Sequence, residues 1–448
     1  MLPKRRTIYL LSLLSFFVLG ACKATQGSNA SDVIRIDQAP IDEVDEQLVS
    51  ADTAKADTLN MDTIKVTEDI QLTKKANYRV AVILPYQADS VRKAWDLSSV
   101  KNFENFAIDP ASELALSFTE GLLMAINDAQ FSSKIELKFF DDQNDPLAIQ
   151  SILNQLKMDS FDLIIGPELK TNLQSIAAFA KAEGIAHVSP FSPSKSASAD
   201  NPAYFMVEPS LDQHILTMLR FTLDSIEKPH IQLIHEQNSF GNYYASLASN
   251  YLDAWNDSLP EESKVAYTMI GLGSDMIESE FQLAEHMDAE ANNVFICNTF
   301  NDNFLTHFLP QIQRVKKEQD LVVFGMPGWE KSATLRLDYL NTGEVHFTSA
   351  VLNTSDTAQN FIARYEEKYK SKPSQAVYLG YEMSSIFLNQ LDEFGIGYYD
   401  NLIDKTLNLI NRKYHFIEVL DENGQVLRIE NIALLIYKIQ NFEQVQVR

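Results

Sequence analysis

Residues 161–192 read FDLIIGPELKTNLQSIAAFAKAEGIAHVSPFS, and this stretch decides the predicted fold. The apolar run 161–165 stops at Gly166, which is the pattern of a short buried strand with an abrupt end. A helix with one apolar face follows and ends at Gly184, because glycine readily takes the left-handed conformation that closes a helix. Residues 185–189 predict a second strand. The stretch is therefore a strand–helix–strand unit, and such a crossover joins parallel strands.

Both strands of this unit end at the same edge of the sheet, and open α/β sheets bind ligands at that edge. Thr171 and Gln174 have the spacing of a capping box, which places a helix N-terminus there. Gly166, Thr171, Ser192 and Ser194 should therefore lie together. Hydroxyls, a helix N-terminus and bare backbone suit a small anionic or zwitterionic ligand. Ordinary turn chemistry without a ligand explains the same residues equally well.

Composition limits the classes of partner. The chain has 448 residues, of which 45% are hydrophobic, and this is enough for two or three domains. Acidic residues number 61 and basic residues 37, so the net charge is −24. Such a charge disfavours nucleic acid and anionic membrane surfaces as partners. The two cysteines, Cys22 and Cys297, lie in no metal-binding spacing, and Cys297 is predicted to be a core thiol on a strand.

The first 21 residues have the pattern of a lipoprotein signal peptide. Basic residues 4–6 precede an apolar segment, 8–19, that is too short for a confident membrane span. Residues 19–22 read LGAC and resemble the bacterial lipobox, which implies cleavage before Cys22 and lipidation of that cysteine. The alternative is an ordinary secretory signal followed by a chance cysteine. The pattern predicts a periplasm-facing protein that is lipid-anchored to the cell membrane, and we expect the outer membrane although the sequence does not distinguish it from the inner one.

Residues 22–77 are predicted to begin with the lipidated cysteine and to continue as a disordered acidic tether. The segment after the cysteine contains no Phe, Trp or Tyr and has an excess of acidic residues. Low hydrophobicity combined with charge of one sign leaves no core to form. A short helix at 41–49 is the competing interpretation.

Strand and helix patterns alternate from residue 78 onward and predict two doubly wound α/β lobes. The predicted N-terminal lobe combines residues 78–208 and 350–402. The predicted C-terminal lobe combines residues 209–349 and 403–448, and its last strands are expected to be antiparallel around a hairpin. Residues 87–111 are predicted to be a long polar loop within the first lobe.

No motif of nucleotide or covalent chemistry is present. Residues 271–273 (GLG) lack the third glycine of a dinucleotide site, and residues 235–236 (HE) lack the second histidine of a zinc protease motif. No P-loop or nucleophile-elbow motif occurs. The aspartates at 141, 142 and 145 could bind a cation, but their spacing is not that of a calcium loop. We therefore expect no enzyme activity, no cofactor and no bound metal.

The order of several segments along the chain is more specific than any one motif. In order, they read VAVILPY (80–86), TEGLLMAINDA (119–129), IELKFFDDQNDP (135–146), DLIIGP (162–167), GIAHVSPFS (184–192) and NPAYFMVEPS (201–210). This order resembles the type 1 periplasmic binding protein family, and in particular its branch of leucine and branched-chain amino acid binding proteins of ABC transporters. The resemblance covers about residues 78–448. It implies two lobes with a hinge and an interlobe cleft that closes on a ligand.

The resemblance also implies ligand contacts from both lobes. The first lobe would contribute Tyr86, Gly166, Thr171, Ser192 and Ser194. The second lobe would contribute Phe240, Trp329 and Glu330. Phe240 stands where the family usually has a tyrosine before glycine, and Glu330 lies near the position of an acidic residue that holds a ligand amine.

Two functions of different classes fit this family. The first is a solute-binding lipoprotein that captures a small polar, amino-acid-like ligand and passes it to an ABC permease or a sensor. The second is an interaction protein of the cell envelope, such as a regulator of peptidoglycan synthesis. The expected partners are thus a small molecule, an ABC permease or envelope protein, and the membrane through the lipid anchor, but not nucleic acid. A concave site with convergent polar groups would favour the first function.

Overall fold

The computed structural model describes residues 74–97, 108–273, 281–316, 320–332, 335–352 and 356–447. The chain forms two compact units. The first contains the described residues up to Glu208 together with Leu352–Asn431, and the second contains Pro209–Val351 and the described residues from Ile432 onward. The predicted signal peptide, Cys22 and residues 23–73 of the predicted tether lie outside the described residues.

The elements of the described residues are numbered in chain order. The strands are β1 (Asn77–Leu84), β2 (Lys134–Asp141), β3 (Leu163–Ile165), β4 (Ala186–Ser189), β5 (Tyr204–Met206), β6 (Pro229–Glu236), β7 (Ala266–Leu272), β8 (Asn292–Asn298), β9 (Leu321–Phe324), β10 (His346–Ser349), β11 (Thr406–Asn408), β12 (Lys413–Leu420), β13 (Val426–Asn431), β14 (Leu435–Gln440) and β15 (Glu443–Gln446). The helices are α1 (Ala88–Leu97), α2 (Pro110–Asp128), α3 (Pro146–Met158), α4 (Lys170–Glu183), α5 (Leu211–Ser225), α6 (Ser239–Asp257), α7 (Asp302–Val315), α8 (Leu337–Thr342), α9 (Asp356–Tyr369) and α10 (Gln375–Phe394). Within the described ranges, none of these helices combines the length and the apolar character that crossing a membrane requires.

The first unit is built on one mixed sheet with the strand order β11-β12-β13-β5-β4-β3-β1-β2. Strands β1 to β5 are mutually parallel, and β13 continues this parallel set beside β5. The chain begins in the interior with β1, places β2 on one side of it and then adds β3, β4 and β5 on the other. The order therefore reverses between β1 and β3, and a point of reversal is where doubly wound sheets leave a crevice for ligands.

Helices cover both faces of this sheet, and successive side chains of β1 pack alternately into two apolar layers. Val80 and Val82 pack in a cluster with residues of α2 and α10, whereas Ala81 and Ile83 pack with residues of α3 and α4. A strand that is buried on both faces reads as a continuous apolar run, which is why VAVIL predicts a central strand.

The second unit has its own sheet, with the order β15-β14-β10-β9-β8-β6-β7. Its strand order reverses between β6 and β8. Residues of α5 and α6 form an apolar core with one face of the sheet. On α7, Phe308 lies 6.3 Å from Phe295 of β8, measured between ring centroids. Cys297 on β8 is buried, and burial raises the pKa of its thiol, so it is the core thiol that the sequence predicts.

One predicted domain boundary changes. The sequence analysis assigned residues 403–448 to the C-terminal lobe, but β11, β12 and β13 belong to the first unit because β13 pairs with β5. The chain leaves the first unit only after Asn431. Strand β14 then pairs antiparallel with β10 in the second unit, so it does not extend the hairpin of β12 and β13. A strand pattern marks the strand but not its partner.

Two local predictions are wrong. Residues 88–97 form helix α1, although 87–111 was predicted to be a polar loop. The Asp141 carboxylate caps this helix by accepting hydrogen bonds from the amides of Gln87 and Ala88, each at 2.9 Å. Ordered contacts also begin before the predicted end of the tether, because Lys75 Nζ donates to Asp162 Oδ1 at 2.7 Å.

Candidate functional site

The candidate site in the first unit is the edge where β1, β3 and β4 end, beside the reversal of strand order. We call this edge the first-unit rim and define it as residues 85–87, 166–169 and 190–194. The sheet topology brings Tyr86, Gly166, Ser192 and Ser194 to this one edge, as the sequence predicts. Thr171 lies in the first turn of α4, directly after the loop that follows β3.

Gly166 is required by the packing of the chain. Its φ is +86°, and a Cβ atom there would lie 2.1 Å from the carbonyl oxygen of Ile83 on β1. Its own carbonyl accepts a hydrogen bond of 2.6 Å from Nε2 of His187 on β4. Burial lowers the pKa of His187 to about 4, so the ring is neutral near pH 7 and carries its proton on Nε2. The loop after β3 is thereby fixed to both neighbouring strands.

Tyr86 is held inside the first unit. Its ring is buried, and its hydroxyl lies 2.8 Å from Thr119 Oγ1 on α2. The Thr119 hydroxyl donates to the carbonyl oxygen of Ala115, so the Tyr86 hydroxyl is the donor in the shared bond. Burial raises the pKa of Tyr86. This residue therefore supports the rim by fixing the chain after β1 to α2.

The predicted capping box at the start of α4 is wrong. The helix begins at Lys170, its cap position is Leu169, and no side chain caps it. Thr171 is exposed in the first turn, and Gln174 Nε2 instead donates to the carbonyl oxygen of Ser196 at 3.0 Å. Side chains cap the amino ends of four helices, namely Asp109 on α2, Asp145 on α3, Asn238 on α6 and Asn301 on α7, whereas α5, α8 and α10 have no such cap, like α4. The amino end of α4 thus keeps its unfilled cap position at the rim.

The hydroxyls after β4 make contacts within their own loop. Ser192 Oγ accepts a hydrogen bond from the amide of Ser194 at 3.3 Å, and Ser194 Oγ lies 3.2 Å from Ser196 Oγ. Both residues are buried. A short 3-10 helix, Lys195–Ser198, follows and packs against α4. The structure therefore brings this loop beside α4, as the sequence predicts.

A pair of carboxyl groups at the same edge was not selected from the sequence as a binding site. Asp142 follows β2 and is fully buried, and Glu168 follows β3 and is half-buried. Burial raises the pKa of Asp142, and the nearby Asp141 carboxylate raises it further. Burial also raises the pKa of Glu168, with smaller contributions from Asp142 and Asp109. Only the position of Glu168, just after Gly-Pro at a strand end, could have indicated it.

In the second unit, two of the three predicted ligand contacts, Trp329 and Glu330, form hydrogen bonds with backbone groups. Trp329 is 3% exposed, and its Nε1 donates to the carbonyl oxygen of Thr299 at 3.2 Å. Its ring also lies against Gly325, where a Cβ atom would come within 2.2 Å of it. Glu330 Oε2 accepts a hydrogen bond from the amide of Gly328 at 3.0 Å. Both residues thus stabilise the turn after β9.

Phe240 lies in the first turn of α6. Its ring centroid is 4.9 Å from that of Tyr244 and 6.3 Å from that of Phe300. The amino end of α6 is capped by Asn238, which accepts from the amide of Gly241. A ligand role for Phe240, Trp329 and Glu330 stays a prediction.

Two pockets lie away from the first-unit rim. One of about 440 Å³ is in the second unit at the amino ends of β6, β8 and β9, where Glu227, Asp288 and Asp320 line it. The other, of about 410 Å³, is in the first unit and is lined by Tyr381, Glu382 and Leu409, among others. Neither pocket contains a residue of the rim.

Residues 110–400 match a protein-family model whose description is periplasmic binding protein. This range is more than half of the chain, so the chain belongs to the periplasmic binding protein family. No curated protein matches the chain.

Solved structures of the same class are similar in fold. A putative branched-chain amino acid ABC transporter from Rhodospirillum rubrum has a TM-score of 0.57 and 13% identity, and the match covers 83% of this chain and 100% of that one. An ABC transporter substrate-binding protein from Desulfitobacterium hafniense, in complex with Leu, has a TM-score of 0.53 and 13% identity, with the same coverage of 83% and 100%. At this identity the likeness shows the fold alone, and it confirms the predicted type 1 α/β class with two lobes.

Proposed function

We propose that this chain is a non-catalytic solute-binding protein that captures a small zwitterionic, amino-acid-like ligand at the first-unit rim and delivers it to an ABC importer or a sensor. Membership of the periplasmic binding protein family supports the class of function. The observation that carries the proposed location is the amino end of α4, which lies at the reversal of strand order without a side-chain cap.

A helix amino end attracts an anion because its first amides have no partner within the helix and carry partial positive charge. A carboxylate at such an end gains about 0.3–2 kcal/mol. Lys170, the first residue of α4, adds a full positive charge. A ligand carboxylate would therefore take the place that Asp109 and Asp145 occupy on α2 and α3.

The proposal extends to the cell envelope. A lipid on Cys22 would attach the protein to the membrane, with the outer membrane as the proposed location, and several acyl chains on one residue would give stable attachment. This part rests on the LGAC pattern at residues 19–22. Replacing Cys22 by alanine should give a form without acyl label that no longer partitions into detergent, and a variant that keeps both properties would refute the anchor.

The proposed ligand position can be tested at the amide of Lys170. Leu169 has φ −65° and ψ 127°, the extended conformation that a residue before proline adopts, so proline fits the first position of α4. Lys170→Pro removes both the charge and the amide donor, whereas Lys170→Ala removes only the charge.

Both variants would be titrated with the L-amino acid that the wild-type protein binds most tightly. Loss of one charge-assisted hydrogen bond should make Lys170→Pro bind about tenfold more weakly than Lys170→Ala. Equal affinities of the two variants would show that the amino end of α4 does not hold the ligand.

A further inference from the structure

Four carboxylates lie around the first-unit rim, and they differ in how their oxygens are used. Asp141 caps α1, and Asp109 caps α2 by accepting from the amide of Ala111 at 2.9 Å. Asp142 and Glu168 cap no helix. Their hydrogen bonds within the described residues come from amide groups alone, so these two carboxylates are available for another role.

Two asparagines each use their amide nitrogen on one of these carboxylates. Asn172 Nδ2 donates to Asp142 Oδ2 at 2.8 Å, and Asn144 Nδ2 lies 3.5 Å from Glu168 Oε2. The other atom of each amide, Oδ1, is buried and has no hydrogen-bond partner among the described residues. Asn172 is fully buried, and its amide lies directly against the Asp142 carboxylate.

This arrangement contains acceptors without a matching donor. Two carboxyl groups and two amide oxygens share three hydrogen bonds, because the backbone amide of Asn144 also donates to Asp142 Oδ1 at 3.4 Å. A buried acceptor without a partner costs about 1–3 kcal/mol. The like charges of Asp142 and Asp109 also raise the pKa of Glu168. A group that offers several N–H donors and a positive charge would relieve both costs. An ammonium group has three donors and no acceptor.

We propose that Glu168, together with Asp142, binds the ammonium group of the ligand whose carboxylate lies at the amino end of α4. This inference rests on the proposed function and deepens it, because it assigns the amine of the ligand to named side chains. Glu168 precedes the first residue of α4 by two positions, so their Cα atoms are at most about 7 Å apart. An amino acid can bridge that distance with a hydrogen bond at each end.

The test uses two pairs of probes that differ only by the amine. L-Leucine is compared with 4-methylpentanoate, and L-phenylalanine with 3-phenylpropanoate, by calorimetric titration of the full chain. Wild-type protein is compared with Glu168→Gln, which keeps the size of the side chain and removes its charge. Glu183→Gln is the matched control because Glu183 is exposed at the other end of α4.

Each amino acid should bind to wild-type protein at least tenfold more tightly than the acid of its pair that lacks the amine. Glu168→Gln should remove this preference and leave the affinity for the deaminated acid within twofold, whereas Glu183→Gln should change neither value. If wild type binds both members of a pair equally, the proposed function survives and the role of Glu168 is refuted. If wild type binds neither member of either pair, this inference fails, whereas the proposed function fails only if none of the other amino acids binds either.

A metal cation is the other source of positive charge, and a calcium titration distinguishes it. If calcium binds to wild-type protein in the absence of an amino acid, and this binding is lost in Glu168→Gln, the assignment to an ammonium group is overturned. If calcium gives no heat of binding with wild-type protein, and wild type prefers the ligands that carry an amine, the assignment is supported. The melting temperature of unliganded Glu168→Gln should equal or exceed that of wild type, and a clear decrease would show instead that the carboxylate has a structural partner.

Discussion

Replacing His187 by glutamine tests how the first-unit rim is held to its sheet. His187 is completely buried, and its Nε2 donates to the carbonyl oxygen of Gly166 at 2.6 Å. Burial lowers the pKa of the ring to about 4. The folded state therefore resists protonation of this ring. The neutral ring contributes its full stability above the ordinary pKa of about 6.5, and this contribution is lost as the pH falls from there towards 4.

The size of this loss follows from the two pKa values. Between pH 7.5 and 5.5 the unfolded state gains about 1.3 kcal/mol by protonating this histidine, while the folded state gains almost nothing. Glutamine cannot titrate, and its side-chain amide can donate to Gly166 in place of the imidazole. His187→Gln should therefore lose about 1.3 kcal/mol less stability than wild type over this pH range.

The measurement must report on the first unit alone, because burial also lowers the pKa of His214 to about 3 and that of His346 to about 4 in the second unit. Native-state hydrogen exchange of the β4 amides, corrected for the intrinsic rate at each pH, gives the free energy of opening of that strand. If wild type and His187→Gln lose the same free energy between the two pH values, the buried neutral histidine does not hold the rim.

Three further variants test the account. Gly166→Ala should lower the unfolding free energy by at least about 2 kcal/mol in urea denaturation, because its φ is +86° and its Cβ would lie 2.1 Å from the Ile83 carbonyl oxygen; an unchanged midpoint would contradict this packing. Thr171→Ala should change the unfolding free energy by less than about 0.5 kcal/mol, because Thr171 makes no cap, so a loss near the 1 kcal/mol typical of a cap would refute the observed helix start. Burial raises the pKa of Glu382, so its contribution to stability is present at low pH and is lost as the pH rises through the folded pKa. Glu382→Gln should remove that part of the pH dependence above the ordinary pKa of 4.5, and identical slopes for variant and wild type would exclude it.

Local patterns were sufficient where the structure depends on nearby residues. The stretch that begins at Phe161 forms β3, α4 and β4 as predicted, because alternation and apolar periodicity act over a few residues. Gly184 closes α4 with φ +67°, which the sequence indicates through glycine itself. The alternation of strands and helices was likewise enough to predict the α/β class, and the order of several segments carried the resemblance to the family.

Contacts between distant segments could not be predicted in this way. Helix α1 depends on a cap from Asp141, which lies 54 residues after Gln87 in the chain. The assignment of β13 to the first unit depends on its pairing with β5, which follows from no local pattern. Trp329 has the residue type of a ligand contact, but its burial against Gly325 is a property of the folded turn.

The carboxylates of Asp142 and Glu168 likewise depend on contacts between distant segments. Glu168 gains its significance only when the loops after β2 and β3 bring it near Asp142, Asn144 and Asp109. In the sequence it is one acidic residue between Pro167 and Leu169. Residue type and order were therefore enough to bring the strand ends of the rim together but not to select Asp142 and Glu168.

Calorimetric titration of the full chain in detergent with each of the twenty proteinogenic amino acids tests the central claim most directly. The account predicts saturable binding of at least one of them with a stoichiometry of one. A ligand present at one hundred times its Kd should also stabilise the protein by about 2.7 kcal/mol. If none of the twenty gives a binding heat or raises the melting temperature, the chain does not capture an amino-acid-like solute, and an interaction with another envelope protein becomes the function to test.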